Sequence, residues 1–177
     1  TIQGYFGGAY VFAPQCKTMW MDNGSGQYTR TGKSMYTTAL MDTIKEFVAA
    51  HPEIDQNRIY IGGCSNGGFM TVRMIIDFPE YFAGAYPICE ALYDETISDA
   101  DIEHIKNLPI WFTHAQVDAI VPPNETAVPT YKRLIAAGAE NVHFSYYERV
   151  LDQTGLFKKP DGTPFEYFGH GSWIYTL

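Results

Sequence analysis

No apolar stretch among these 177 residues is long enough to span a bilayer, which argues against a helical membrane role. Basic residues are scarce, 12 Lys and Arg against 20 Asp and Glu, and they form no cluster. The resulting net charge of −8 disfavours nucleic acid and anionic membrane as partners. Charged residues of all kinds reach only 18% while hydrophobic ones reach 46%, which excludes a disordered chain. There are three cysteines, Cys16, Cys64 and Cys89, without zinc-ligand spacing. An odd number leaves buried free thiols or one disulfide with a spare, and the compartment stays undecided. The Asp22-Asn23-Gly24 run does not have the spacing of an EF-hand loop, so it reads as a turn, and neither a metal nor a cofactor is implied. Internal repeats and low-complexity linkers are absent, and the length suits one domain with a sizeable core. No signal peptide is evident, and the start at Thr1 suggests processing or a longer parent chain.

What is there alternates between short apolar runs and amphipathic stretches. Ala9 to Ala13 reads as a strand closed by Pro14. Between Ser34 and Ala50 the residues Tyr36, Leu40, Ile44, Phe47 and Val48 make one helical stripe, broken by His51-Pro52. Arg58 to Ile61 is a buried strand, Asn66 to Asp77 a helix, and Phe82 to Ile88 a further strand. A helix over Ile97 to Lys106, a strand over Leu108 to Phe112, a helix over Thr126 to Ala137 and a strand over Val142 to Tyr147 follow. Gly138 stops the last helix. Strands alternating with helices predict an α/β fold, a parallel sheet covered on both faces with its site at the carboxyl ends of the strands.

One turn in that series carries chemistry. Gly63-Cys64-Ser65-Asn66-Gly67 matches G-x-S-x-G and falls between a predicted strand and a predicted helix. This is the pattern of a nucleophile elbow, a strained turn that lifts a serine hydroxyl out of the backbone. Its small residues avoid collisions in so tight a bend. A serine hydroxyl needs a base to take its proton, and an imidazole base needs a carboxylate to hold its tautomer.

Five histidines compete for the role of base. His51 ends a helix, His104 sits on a surface helix and His143 lies within a strand. His114, just after a strand, is a secondary candidate. His170, in Gly169-His170-Gly171 beyond the final strand, is the favoured base because small neighbours let it approach a cleft. Asp118 is the favoured acid, since the preceding apolar strand aims it and Val121-Pro122-Pro123 fixes the loop behind it. Asp94, Asp99, Asp101 and Asp152 read as solvated turn residues.

The order Ser65, Asp118, His170 is that of the α/β-hydrolase triad. With Ala13-Pro14-Gln15, the elbow, His114-x-x-x-Asp118 followed by Val121-Pro122, and the late Gly169-His170, the chain resembles α/β-hydrolases of the esterase and prolyl-oligopeptidase-like group. The resemblance covers nearly all of residues 1–177, read as a single α/β-hydrolase catalytic domain that lacks the N-terminal strands. It implies a serine esterase that forms an acyl-enzyme on small-molecule esters, with the Asn66 N–H as one oxyanion donor and no cofactor. A peptidase of the prolyl-oligopeptidase type and a non-catalytic binding protein of the same fold are the alternatives. No second oxyanion loop is evident, because Gly4-Tyr5-Phe6-Gly7-Gly8 lies too close to the Ala9 run. The resemblance therefore leads one to expect that a preceding segment or a second chain completes the sheet. Glu90 and Trp173 are candidate pocket residues, with an ordinary loop carboxylate and core packing as their plainer readings.

Overall fold

The computed structural model describes Gly4 and residues 7–176; Tyr5 and Phe6 of the glycine-rich run lie outside the described residues. Four strands, β1 (Tyr60–Cys64), β2 (Gly84–Ile88), β3 (Ile110–Ala115) and β4 (Val142–Tyr147), form one sheet in the order β1-β2-β3-β4. Every pairing is parallel. Parallel neighbours need a crossover, and helices supply them: α1 (Thr37–Ala50) precedes β1, then α2 (Asn66–Asp77), α3 (Asp99–Ile105) and α4 (Ala127–Ala136) link the strands. A short antiparallel pair, β5 (Val150–Leu151) with β6 (Glu166–Tyr167), and a 3₁₀ segment over Gly169–Tyr175 end the described chain.

Local sequence accounts for these helices. Ser98 caps α3 by accepting from the Asp101 backbone N–H while Asp101 returns a bond to the Ser98 N–H, a complete capping box. Gly138 takes φ +88 just past α4, a conformation glycine adopts freely. α2 buries eight of its twelve residues, including Phe69, Met70, Val72, Met74 and Ile75, because it lies directly on β1 and β2.

Among the described residues, the helices α1 to α4 cover one face of the sheet. A run of strands added in sequence order with right-handed crossovers keeps its connections on one side. α1 packs on α2, α2 on α3 and α3 on α4, forming that single layer. Ala85, Ile110, Phe112 and Val142 face it and belong to the core. On the other face, among the described residues, Trp111 is 55% exposed beside His143, their rings 5.2 Å apart. His143, within β4, is exposed. The 3₁₀ segment packs on β3.

The expected strand at Ala9 to Ala13 does not form. The segment belongs to neither sheet, and Val11 is 80% exposed. No described strand lies beside β1 to receive it, so it runs over α1, with Phe12 stacked on Phe47 at 4.8 Å and Tyr10 against Phe47 and His51. Two aspartates read as solvated turn residues are structural instead. Asp152 is buried and accepts from Thr154, Gly155 and Tyr167, and Asp94 holds Arg133 at 3.0 Å.

Candidate active site

The carboxyl ends of β1, β2 and β3 converge, and each delivers one segment of the site. β1 ends at Cys64, and Ser65 follows with φ 58 and ψ −114, one of two non-glycine residues with positive φ among those described. Left-handed backbone is disfavoured for any residue with a Cβ, so this turn is held from outside. The Ser65 N–H donates to the Ile88 carbonyl at 2.9 Å and its own carbonyl accepts from Phe69 N–H at 2.9 Å, tying the turn to β2 and to the first turn of α2.

Glycine is required here at Gly63 and Gly68. A Cβ on Gly63 would lie 2.5 Å from the Gly67 carbonyl carbon and oxygen, and one on Gly68 would lie 2.7 Å from the Glu90 Cα. A Cβ on Gly67 would meet nothing within 4 Å. The G-x-S-x-G pattern thus names one of the two glycines here whose Cβ would meet backbone, and the other lies just beyond it.

Asn66 opens α2, where a first-turn N–H has no partner within the helix. Its side chain is engaged separately, since Oδ1 accepts from the Met21 N–H at 3.1 Å. The loop carrying Met21 is organised by Asp22, which is buried and accepts from Thr18 Oγ1 at 2.7 Å and from the N–H groups of Gly24 and Gly26 at 2.8 and 2.9 Å. Short polar spacing made this run legible as a turn, but its contact with Asn66 is long-range and left no mark in the sequence.

β3 delivers Asp118 and the 3₁₀ segment delivers His170. Asp118 Oδ2 lies 2.7 Å from His170 Nδ1, while Asp118 Oδ1 accepts from the N–H groups of Ile120 and Val121 at 2.9 and 3.0 Å. Burial alone would raise the Asp118 pKa. Bonds from His114, then His170, then the two backbone N–H groups outweigh it and hold the carboxyl well below its ordinary range. Facing an ionised carboxylate, His170 Nδ1 carries the proton, which leaves Nε2 as the basic nitrogen. The Asp118 bond raises the imidazole pKa above its usual value, partly opposed by burial. Gly169 makes the approach possible, because a Cβ there would sit 2.2 Å from the Val117 carbonyl oxygen.

His114, the secondary candidate for the base, is 0% exposed and stands behind Asp118. Its Nε2 faces Asp118 Oδ2 and the Val121 carbonyl, both at 3.1 Å and both acceptors, so this nitrogen carries the proton. Nδ1 is buried without a hydrogen-bond partner among the described residues. A ring so enclosed donates to the carboxylate from the interior.

Glu90, read more readily as an ordinary loop carboxylate, is 1% exposed at the end of β2. One carboxyl oxygen accepts from the Leu92 N–H at 2.7 Å; the other has no partner among the described residues. Burial pushes its pKa up to about 8, the Leu92 bond opposes this and the Asp94 charge adds to it, so Glu90 is protonated at neutral pH. Trp173 lies in the 3₁₀ segment with His170 but beyond a kink at Gly171, and it is 45% exposed.

The three cysteines are free thiols. Cys64 and Cys89 meet beside the turn, Sγ to Sγ 3.3 Å. Cys89 Sγ, an Asp118 carboxylate oxygen and a His170 ring nitrogen lie within 4.8 Å of one another, which places the His170–Asp118 pair next to the end of β2, the neighbour of the strand that ends before Ser65.

A parallel sheet with a helical layer, and a strand–turn–helix at its carboxyl edge, define an α/β-hydrolase. Within that class the sequence matches the model of the phospholipase/carboxylesterase family over residues 14–154, and the chain belongs to that family. A solved structure described as a thermostable esterase is similar, with 34% identity and a TM-score of 0.61, covering 81% of this chain and 34% of that one. Poly(3-hydroxyalkanoate) depolymerase C of Paucimonas lemoignei is 38% identical over 69 residues, 38% of this chain and 16% of that protein. An acylaminoacyl peptidase of Pyrococcus horikoshii shares the fold at 16% identity and TM-score 0.58, over 83% of this chain and 27% of its own. The chain thus spans about a third or less of the length of these relatives.

Proposed function

We propose that this chain carries the centre of a serine hydrolase that cleaves carboxylic esters through an acyl-enzyme. The observations that carry the reading are the 2.7 Å contact of Asp118 with His170 Nδ1 and a serine held at φ 58 in the turn after β1. In this reading Ser65 Oγ attacks the ester carbonyl carbon as its proton passes to His170 Nε2. Asp118 stabilises the imidazolium, and the Asn66 N–H binds the oxyanion. Collapse of the tetrahedral intermediate breaks the bond to the alcohol oxygen, which takes the proton from His170. Water activated by His170 then hydrolyses the acyl-Ser65 ester.

An ester is favoured over a peptide because the sequence offers no acidic pair to receive a free amino terminus, and likeness to peptidases at 16% identity supports the fold alone. The depolymerase likeness adds aliphatic polyesters to the substrates worth testing. Hydrolysis of p-nitrophenyl acetate and labelling by a fluorophosphonate probe test the assignment. Ser65→Ala is expected to abolish both. Hydrolysis that persists in Ser65→Ala overturns the nucleophile, and an unlabelled native protein supports a non-catalytic binding role instead. Asn66 supplies one of the two N–H groups an oxyanion hole ordinarily uses, and loss of one donor costs ~10²–10³ in turnover. The absolute rate therefore reports whether a second donor completes the site.

A further inference from the structure

Cys64 and Cys89 have a feature that the hydrolytic chemistry does not use. Cys64 closes β1 immediately before Ser65, and Cys89 follows β2, whose Ile88 is the register partner of Cys64. Their sulfurs are 3.3 Å apart, and the Cys89 S–H also reaches the His170 carbonyl at 3.6 Å. Cys89 is the second of the two described non-glycine residues with positive φ, at +34. The pair thus joins the turn under Ser65 to the backbone of His170. Cys89 is 0% exposed whereas Cys64 is only partly buried, so a reagent in solution reaches Cys64 first.

We propose that Cys64 and Cys89 form a reversible dithiol–disulfide site that lets low-molecular-weight disulfides switch off the hydrolytic centre. The proposal rests on Ser65 and His170 being that centre. The Cys64 thiolate attacks one sulfur of the oxidant, forming a mixed disulfide and releasing one thiolate. Cys89 then loses its proton and attacks Cys64 Sγ, expelling the second thiol. Two protein thiols are oxidised by two electrons, and one small disulfide is reduced to two thiols, so the exchange balances.

The thiolate chemistry is distributed to suit this order. The contact with the Cys89 thiol lowers the Cys64 pKa against the opposing effect of burial, while the same contact and its own burial raise that of Cys89. Closing the pair draws the sulfurs together by about 1.3 Å, because a disulfide spans about 2.05 Å. The movement falls on the residue adjoining Ser65 and removes the S–H donor from the His170 carbonyl. Displacements near 1 Å in a positioned site cost up to ~10²-fold in rate.

The experiment uses the full protein in a Cys16→Ser background, with glutathione disulfide as oxidant and dithiothreitol as reductant. Peptide mapping after alkylation is expected to show two free thiols before treatment and a Cys64–Cys89 cross-link after it, lost again on reduction. Hydrolysis of p-nitrophenyl acetate is expected to fall at least ~10-fold with the cross-link and to return with its reduction. Cys89→Ala is expected to stop at the mixed disulfide on Cys64, with no intramolecular cross-link. Failure of the cross-link to form, a cross-link that dithiothreitol does not reverse, or a cross-link that leaves hydrolysis unchanged each overturns the proposal. A reduced protein with no hydrolysis at all overturns the Ser65 reading, and the mass map then decides the thiol site on its own.

Discussion

Replacing Glu90 by glutamine should make the protein more stable, relative to the native chain, as pH rises, by an amount the structure allows to be worked out. Glu90 is 1% exposed, with one oxygen bonded to Leu92 N–H and the other without a partner among the described residues. Its pKa of about 8 lies far above the ordinary glutamate value of 4.5. Below pH 4.5 both the folded and the unfolded chain hold the proton, and the group adds no pH dependence to stability. Between 4.5 and 8 the unfolded chain releases the proton and the folded chain keeps it, so the folded state loses ground at ~1.4 kcal/mol per pH unit. The full difference is on the order of 5 kcal/mol, large against an ordinary stability of ~5–15 kcal/mol. In Glu90→Gln the side-chain amide oxygen would still accept from Leu92, and the group carries no proton to lose. Urea denaturation of both proteins from about pH 5 to 8.5, read as the difference in unfolding free energy, isolates this group from the titration of His170 and Asp118. A difference that stays flat across that range would refute the reasoning and show that Glu90 is ionised in the folded state.

Three further outcomes follow from the same contacts. Asp118→Asn should lower kcat by ~10⁴, since the amide would favour the wrong tautomer of His170. The acidic limb of the kcat/KM profile, which in the native protein lies above the usual histidine value because Asp118 raises the His170 pKa, should move to lower pH. Gly169→Ala should cost ~1–3 kcal/mol and reduce activity, measured by thermal denaturation and ester hydrolysis, because its Cβ would meet the Val117 carbonyl oxygen at 2.2 Å. His114→Leu should cost ~1–3 kcal/mol by leaving Asp118 Oδ2 and the Val121 carbonyl without that donor, with a smaller loss of kcat than Asp118→Asn.

The four strands and the helices between them were legible because each is a local pattern. Amphipathic stripes and Gly138 after α4 state their own positions within a few residues. Ala9 to Ala13 shows the limit of such reading. Its apolar composition permits a strand, but a strand exists only where a neighbour accepts its hydrogen bonds, and none lies beside it among the described residues. The one-sided helical layer was equally hidden, because it follows from strand order and crossover handedness.

Sequence by itself determined the class of molecule and a short list of chemical residues: a serine between glycines, and histidines and aspartates beyond predicted strands. Those features are carried by composition and spacing, which local physics translates directly. Tertiary structure alone decided which side chains meet. It set His170 against Asp118 and enclosed His114 behind it, drove Glu90 into a place where its carboxyl keeps its proton, and brought Cys64 within 3.3 Å of Cys89. The His170–Asp118 and Cys64–Cys89 contacts join residues 52 and 25 apart in the chain, and the burial of His114 and Glu90 is a property of the packing around them.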